Sequence, residues 1–366
     1  MISRRYSQVI SATAGFLFIA SCCLALQAQE KQEQVTVDDK ERTFVVRVPK
    51  GYDANKHYPA VLLFPGQQQD AEDMARLTRF NEVADRYGVI AVYPNPQNRW
   101  NVGVPPEPER GAVASQQRGP GGGGGGMGRH GGGWPGGGWP GGSSGGGSGG
   151  RSGGQGGEQR RREPAPQADD LDFVGEMLDK LASSYSIDVQ RVYATGLSDG
   201  GLMAIRVGCH MADRIAAIAP VGAEMLKGVA CVPARRLPVM MINGTSDPIV
   251  PYKGSGGKTG GYPTHSAEDS AKTWAELNNC DVKPQRTVNP AQAKGGDKIE
   301  VSTYTCKAGG EVVLYSVKGA GNTWPDGEQY MSEKEIGKTS NDMNASEAIW
   351  KFFATHSLPA HPAQQN

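Results

Sequence analysis

The chain has 366 residues, 37% of them hydrophobic, and its 38 basic residues balance 38 acidic residues to a formal net charge of zero. This length allows one large domain or two small ones, and the charge balance argues against a general nucleic-acid binder, which normally carries a basic surplus. Of the 52 glycines, 25 lie within residues 119–157. The unusual composition therefore belongs to one segment, and the rest is that of an ordinary globular chain.

Residues 1–28 are typical of a secretory signal peptide. A basic start precedes an apolar stretch around Phe16–Ile19 that is too short for a comfortable membrane span. Residues 19–22 also resemble a bacterial lipobox, in which Cys22 would carry a lipid, whereas ordinary cleavage near Ala28 and a buried N-terminal helix are the alternatives. We predict an exported protein, extracellular or periplasmic, whose only contact with a membrane is this lipid anchor, if it is present.

Four cysteines follow the predicted signal peptide, and their interpretation depends on the predicted export of the chain. An even number of cysteines in an exported chain favours two disulfides over metal ligation. Their spacing suggests the pairs Cys209–Cys231 and Cys280–Cys306, although four cysteines allow three pairings. The sequence has no CxxC motif and no cluster with metal-ligand spacing, so we predict no metal site.

The hydrophobic pattern then alternates between short apolar runs, which predict strands, and segments with helical spacing. The predicted strands are 43–49, 60–64, 89–93, 191–195, 215–219, 239–243 and 312–317, and the predicted helices are 71–87, 170–183, 200–211, 267–278 and 345–354. Strands that alternate with helices predict an α/β fold, in which a mostly parallel sheet is covered by helices on both faces.

Residues 104–168 interrupt this alternation. They contain glycine repeats, two Trp-Pro-Gly-Gly copies and the arginine run 160–162. Such a segment cannot bury enough apolar area to offset its chain entropy, so we predict a disordered insertion. It divides the α/β domain into residues 29–103 and 169–356, and residues 357–366 form a tail. A plain linker and a surface that binds polymer or cell wall are the two interpretations of the insertion.

One G-x-S-x-G motif lies between a predicted strand and a predicted helix, which is the position that a reactive serine requires. Gly196-Leu-Ser198-Asp-Gly200 follows a predicted strand and precedes a predicted helix, whereas the other copies fall inside the glycine run. A strand that runs directly into a helix holds the serine in a tight, strained turn at the carboxyl end of the sheet. The N–H of Asp199 can then point at a developing oxyanion. A glycine-flanked turn without a reactive serine is the alternative.

In this kind of site an acid and then a histidine follow the serine along the chain. Asp247 comes after predicted strand 239–243 and is the candidate acid, with an Asx turn before Pro248 as the alternative. The loop after the last strand reads Gly319-Ala-Gly-Asn322-Thr-Trp-Pro and contains no histidine.

These motifs resemble a known family. The chain from about Phe44 to Phe353, apart from the glycine insertion, is similar to the LpqC-type polyhydroxybutyrate depolymerase and feruloyl esterase family of α/β-hydrolases. The matching stretches are 193–203, 216–221, 244–252 and the Gly-Asn-Thr-Trp-Pro run that ends at Pro325. The resemblance implies a secreted serine esterase that needs no cofactor and acts on polyester or feruloyl-type ester substrates.

The resemblance also implies roles for single residues. Ser198 stands at the nucleophile position, Asp247 at the acid position, and Asn322 where the family has its catalytic histidine. An asparagine amide can hydrogen-bond a serine hydroxyl but cannot accept its proton at neutral pH. Losing the base of a comparable triad costs on the order of 10⁶ in turnover. His265, on the loop after the acid, is a candidate substitute base, and a solvated loop histidine is the alternative.

The candidate oxyanion hole departs from the family pattern as well. The family carries His-Gly after the first core strand, where this chain has Pro65-Gly66 followed by Gln67. Pro65 has no N–H, so Gln67 is the remaining candidate for the second donor. Trp100 and Trp324 are candidate aromatic walls of a substrate cleft, with core packing as the alternative.

Two functions follow from the sequence. The first is a secreted serine carboxylic-ester hydrolase of the polyhydroxybutyrate depolymerase or feruloyl esterase type, impaired because position 322 is an asparagine. The second is a non-catalytic protein of the same fold that binds an extracellular polymer or an ester ligand. Neither function requires a cofactor or a metal, and the sequence leaves the oligomeric state open.

Overall fold

The computed structural model describes residues 29–104, 169–257, 261–289, 296, 298–307 and 309–359. The predicted signal peptide with its lipobox cysteine Cys22, the insertion from residue 105 onward and the end of the tail lie outside these residues.

The described residues form ten strands and seven helices. In chain order they are β1 (Gln29–Val37), β2 (Lys40–Val48), β3 (Tyr58–Phe64), α1 (Ala71–Thr78), α2 (Phe80–Tyr87), β4 (Ile90–Pro94), α3 (Asp170–Ser184), β5 (Ile187–Leu197), α4 (Asp199–His210), β6 (Ala217–Val221), β7 (Val239–Gly244), α5 (Ala267–Leu277), β8 (Gln285–Asn289), β9 (Ile299–Tyr304), β10 (Val312–Val317), α6 (Glu333–Ile336) and α7 (Ala345–Phe353).

All ten strands join one sheet in the order β1-β2-β4-β3-β5-β6-β7-β10-β9-β8. The six strands from β4 to β10 in this order pair in parallel. An antiparallel pair closes each edge, β1 with β2 on one side and β8 with β9 on the other. The prediction of a mostly parallel sheet is confirmed, and the sheet brings the carboxyl ends of β5, β6, β7 and β10 to one edge.

Helices cover both faces of this sheet. Successive apolar side chains of the central strands point to opposite faces, so each face has a hydrophobic core that the helices cover. In β3, Leu62 and Phe64 belong to the core that includes residues of α3, α4 and α5. Val61 and Leu63, which point to the opposite face, belong to the core that includes residues of α1, α2 and α7. A strand that is buried on both faces is expected to be apolar throughout, as β3 is.

The structure differs from the sequence prediction in the helix at 71–87 and at the sheet edges. The helical spacing is continuous there, but Arg79 adopts a left-handed conformation with φ of 52° and separates α1 from α2. Strands β1, β8 and β9 and the short α6 were not predicted. All five residues of β8 are exposed, so this strand has no apolar pattern by which a sequence could indicate it.

Two disulfides connect Cys209 with Cys231 and Cys280 with Cys306. This is the pairing that the spacing suggested. The first ties the end of α4 to the loop after β6, and the second ties the residues after α5 to those after β9. Disulfides of this kind are typical of proteins that fold in an oxidising compartment. Of the helices in the described part of the chain, none is both long and apolar enough to cross a membrane.

Candidate active site

Ser198 forms the turn between β5 and α4, and its backbone is strained. Its φ of 56° and ψ of −117° lie in a region that residues with a side chain rarely adopt. Its N–H donates to the carbonyl oxygen of Val221 at the end of β6 (2.9 Å), and its carbonyl accepts from the N–H of Leu202 (3.0 Å). The turn is thus attached to both the neighbouring strand and the helix, and Ser198 stands at the carboxyl edge of the sheet.

Two glycines allow this turn to approach β3. A Cβ atom on Gly200 would overlap the carbonyl oxygen of Phe64, and one on Gly196 would overlap the carbonyl group of Gly200. No side chain fits at either position without moving a strand. The motif therefore has a physical basis here: the two glycines let strand, turn and helix pack closely enough to hold the serine in its strained conformation.

Asp247 and Asn322 lie side by side at the same edge. The Asn322 Nδ2 atom donates to Asp247 Oδ2 (2.7 Å) and to the carbonyl oxygen of Gly222 (3.2 Å). Gly222 directly follows Val221, the residue that accepts the backbone N–H of Ser198. Both side chains are buried, with Asp247 7% and Asn322 1% exposed. The end of β6 thus connects the serine turn to the amide and carboxylate pair.

Backbone donors hold the other oxygen of Asp247. Its Oδ1 atom accepts from the N–H groups of Ile249 and Val250, both at 2.8 Å. Burial raises the pKa of Asp247 to about 6, against the effect of the hydrogen bonds from Val250, Asn322 and Ile249, which lower it. The carboxylate is therefore ionised above about pH 6 and is oriented toward Asn322, as the acid of a triad would be oriented toward its histidine.

Asn322 offers no proton acceptor comparable to an imidazole. Both hydrogens of its Nδ2 atom are donated, and its Oδ1 atom lies 3.4 Å from the hydroxyl of Tyr330. The same hydroxyl donates to the backbone carbonyl of Asn322 (2.9 Å), and burial raises the pKa of Tyr330. In the described part of the chain, the Ser198 hydroxyl forms no hydrogen bond. An amide oxygen can accept a hydrogen bond but not a proton near neutral pH.

His265 lies directly before the N-cap of α5 and is half-buried. Its backbone N–H donates to the carbonyl of Met225 (2.9 Å). Among the described residues, its imidazole makes no hydrogen bond to Ser198 or Asp247, so the geometry gives no support to a substitute base.

Of the other histidines that the structure describes, His57 and His210 are exposed and His356 faces Glu311.

The candidate oxyanion donors differ in their surroundings. Asp199 is the first residue of α4, and the first N–H groups of a helix have no partner within the helix. The N–H of Gly66 donates to Oε1 of Gln69 (2.9 Å) and is thus occupied. Gln67 is exposed, and its role as second donor stays a prediction.

Trp100 and Trp324 are packed inside the protein, contrary to the prediction of aromatic walls. Trp100 is 1% exposed and donates to the carbonyl of Pro65 (2.9 Å), and Trp324 is 0% exposed and donates to Ser346 Oγ (3.0 Å). Each indole has satisfied its polar group and has almost no surface left for a ligand. The structure favours core packing, the other interpretation.

Arg99 is a site residue that the sequence did not indicate. Its Nε and Nη2 atoms both lie 3.0 Å from Oδ2 of Asp199, the residue after the serine. Its guanidinium carbon lies 5.0 Å from the ring centre of Tyr262, on the loop before α5. The guanidinium thus compensates the negative charge of the Asp199 carboxylate beside the serine turn. No local pattern could have identified this pair, because 100 positions separate its two members.

Comparisons with known proteins bear on the fold and on the chemistry. No protein-family model matches the chain. It is 35% identical over 167 residues to feruloyl esterase B of Piromyces equi. This match covers 44% of this chain and 30% of that protein. It is 25% identical over 186 residues to feruloyl esterase D of Neurospora crassa, covering 51% and 55%. The chain therefore spans less than two thirds of the length of these curated relatives.

A solved structure resembles almost the whole chain. The acetyl xylan esterase from Aspergillus awamori matches it with a TM-score of 0.50 and 11% sequence identity, over 88% of this chain and 99% of that one. The chain has the α/β-hydrolase fold. At this identity the likeness concerns the fold alone, and it confirms the fold class predicted from the sequence. In the residues that the structure describes, no group of histidine, cysteine, aspartate and glutamate could hold a metal ion.

Proposed function

We propose that the chain is a carboxylic-ester hydrolase that attacks its substrate with Ser198 and turns over slowly because Asn322 stands where a base is needed. The observation that carries this proposal is the contact between Asn322 and Asp247, at the same sheet edge as the strained serine turn. Two relatives of the chain are named feruloyl esterases, which supports an ester as the substrate class.

The residues divide the reaction between them as follows. The Ser198 oxygen forms a bond to the ester carbonyl carbon, and the N–H of Asp199 at the start of α4 stabilises the resulting oxyanion. The serine proton goes to water, because the amide of Asn322 cannot take it. Collapse of the intermediate breaks the bond to the alkoxide, which takes a proton from water and leaves as the alcohol, and an acyl-serine remains. Water then attacks the acyl-serine, releases the acid and restores the hydroxyl.

We further propose that the substrates are hydroxyalkanoate polyesters or feruloyl-type esters outside the cytoplasm. The names of the relatives support the feruloyl class, and the resemblance of the serine and acid motifs supports the depolymerase type. The two disulfides support export. A lipid anchor at Cys22 is part of this proposal, and that residue lies outside the described chain.

A second candidate is a non-catalytic protein that binds an ester without cleaving it. It is favoured by one observation: among the described residues, no histidine side chain hydrogen-bonds to Ser198 or Asp247. A protein that keeps the cleft of a hydrolase and lacks its base can bind ester ligands with little turnover.

Hydrolysis of a soluble nitrophenyl ester tests the first proposal, with Ser198→Ala as the matched control. We expect slow release of nitrophenol that this substitution abolishes. We also expect a fluorophosphonate to label Ser198 in the wild type, as detected by peptide mass spectrometry. An unchanged rate in Ser198→Ala would mean that another group cleaves the ester. Binding of methyl ferulate with no detectable hydrolysis or labelling would favour the second candidate.

A further inference from the structure

Glu224 is a buried carboxyl group that the proposed reaction does not use. It lies three residues beyond the end of β6 and is 0% exposed. Its Oε1 atom accepts a hydrogen bond from Asn243 Nδ2 (3.1 Å), and in the described part of the chain no cation pairs with it. Burying an ionised carboxylate without a cation costs several kcal/mol or more. The charged form is therefore poorly accommodated at this position.

Two buried polar atoms at this contact lack a partner. They are the second carboxyl oxygen of Glu224, Oε2, and the amide oxygen of Asn243, Oδ1. A carboxylic acid and a primary amide can form two reciprocal hydrogen bonds. The amide N–H donates to one carboxyl oxygen, and the acid O–H donates to the amide oxygen. One of these bonds is present, and a single proton on Glu224 would supply a donor for the other and so satisfy both orphaned atoms.

We propose that Glu224 is a protonated carboxylic acid in the folded protein and that its O–H donates to Asn243 Oδ1. The resulting ring of two hydrogen bonds makes Glu224 a positioning residue. Asn243 Nδ2 also donates to the carbonyl of Ala223 (3.2 Å), and the next carbonyl back, that of Gly222, accepts from Asn322. The ring thus holds the segment that aligns the amide of Asn322 with Asp247.

The groups around Glu224 agree with a neutral acid. Asp247, on the loop after β7, is the charged group whose field acts on Glu224, and it has the same sign as an ionised Glu224. From the side of α5, the Ser270 hydroxyl accepts from the Met225 N–H (3.0 Å), and His265 bonds the Met225 carbonyl through its backbone. Burial, followed by the negative charge of Asp247, raises the pKa of Glu224 well above its ordinary value.

Glu224→Gln tests this proposal, because a glutamine amide can donate to Asn243 Oδ1 and accept from Asn243 Nδ2 as the neutral acid does. An acid whose pKa is higher in the folded state contributes stability at low pH and loses it as the pH rises. The wild type should therefore lose stability above about pH 4.5 relative to the variant. We expect the Tm of Glu224→Gln to match the wild type near about pH 4.5 and to exceed it by about 4 °C or more at about pH 7.5.

The matched control is Glu176→Gln, on the exposed face of α3. Its Tm difference from the wild type should stay near zero throughout the same pH range. A Glu224→Gln difference that does not change with pH would overturn the proposal, as would a variant that is less stable than the wild type at neutral pH or fails to fold. Each of these three results would mean that Glu224 does not act as a neutral donor to Asn243 Oδ1 that a glutamine amide can replace.

Infrared spectroscopy provides a second readout that a purely structural role would not produce. At about pH 8, Asp247 and exposed carboxyls are ionised, and buried Asp170 is paired with Arg42 (2.7 Å), so the part of the protonated-carboxyl stretch that disappears in Glu224→Gln should come from Glu224. We expect this band in the wild type and in Glu176→Gln, and its absence in Glu224→Gln. A wild-type spectrum without the band would contradict the proposal. Both tests are independent of whether Ser198 hydrolyses esters.

Discussion

The side-chain nitrogen of Asn322 lies 2.7 Å from Oδ2 of Asp247 and donates to it. In the proposed reaction, this amide takes the donor role that an imidazole has toward the acid of a Ser-His-Asp triad. The amide reproduces the half of the histidine that faces the acid. It does not reproduce the half that accepts a proton from serine. The proposed function and its main test both depend on this difference.

Ser198→Gly should stabilise the protein relative to Ser198→Ala. The strained backbone at this position, with φ of 56° and ψ of −117°, costs a residue with a Cβ about 1–3 kcal/mol. Glycine adopts such conformations freely but has a more flexible unfolded state. We expect a net gain of about 1 kcal/mol in the free energy of unfolding, measured by denaturant titration. Equal stability of the two variants would show that the serine turn stores no strain.

Gly200→Ala should prevent the serine turn from forming. The added Cβ would overlap the carbonyl oxygen of Phe64, so β3 and α4 would have to separate. We expect a loss of more than about 3 kcal/mol of stability. The control is Gly256→Ala, where a Cβ meets no atom within 4 Å, and its stability should change by less than about 0.5 kcal/mol. Similar values for the two variants would disprove the close approach of strand and helix.

Arg99→Gln should lower turnover without a comparable change in KM. The substitution leaves the carboxylate of Asp199 without its cation, next to the proposed position of the oxyanion. Repulsion between two like charges near a protein surface amounts to about 1–2 kcal/mol. We expect kcat for a nitrophenyl ester to fall about tenfold. Arg191→Gln removes a surface ion pair with Asp188 (2.7 Å) and should leave kcat unchanged. A fall in both variants would indicate a general effect of lost charge.

The carboxyl group of Asp247 should titrate near pH 6, and Asn322→Ala should raise its pKa further. The amide of Asn322 donates to the ionised carboxylate, so its removal disfavours the charged form. Carboxyl carbon-13 NMR measures both pKa values, with Asp247→Asn to assign the signal. A titration near the ordinary value of 3.8 would show that burial does not control the charge of Asp247. No shift in Asn322→Ala would show that the contact with Asn322 does not control it.

The central strands could be predicted because their signal is local. Buried parallel strands read as continuous apolar runs, and β3 and β10 agree with the predicted 60–64 and 312–317. The exposed strand β8 carries no such run, since backbone pairing with β9 alone makes it a strand. The break at Arg79 was not predictable either, because neither glycine nor proline interrupts the helical spacing there.

In the candidate site, too, features formed by neighbours in sequence were predictable, and contacts between distant residues were not predictable from local pattern. The turn at Ser198 was predictable because its glycines, strand and helix are adjacent in sequence. The contact between Asp247 and Asn322 joins positions 75 residues apart and could be anticipated only from the order of motifs in a resembling family. The pair of Glu224 and Asn243 could not be anticipated. Whether a buried polar side chain finds a partner depends on the register of neighbouring strands, which composition and periodicity do not encode.

The esterase activity of Asn322→His is the most direct test of the proposed function. A histidine at this position can donate the N–H of one ring nitrogen to Asp247 and accept the Ser198 proton on the other nitrogen, which restores the missing base. Loss of such a base costs on the order of 10⁶ in turnover, so we predict a gain of several orders of magnitude in kcat for a soluble nitrophenyl ester. Adding Ser198→Ala to this variant should abolish the gain. A change of less than about tenfold in the variant would contradict the claim that the lack of a base at position 322 limits hydrolysis.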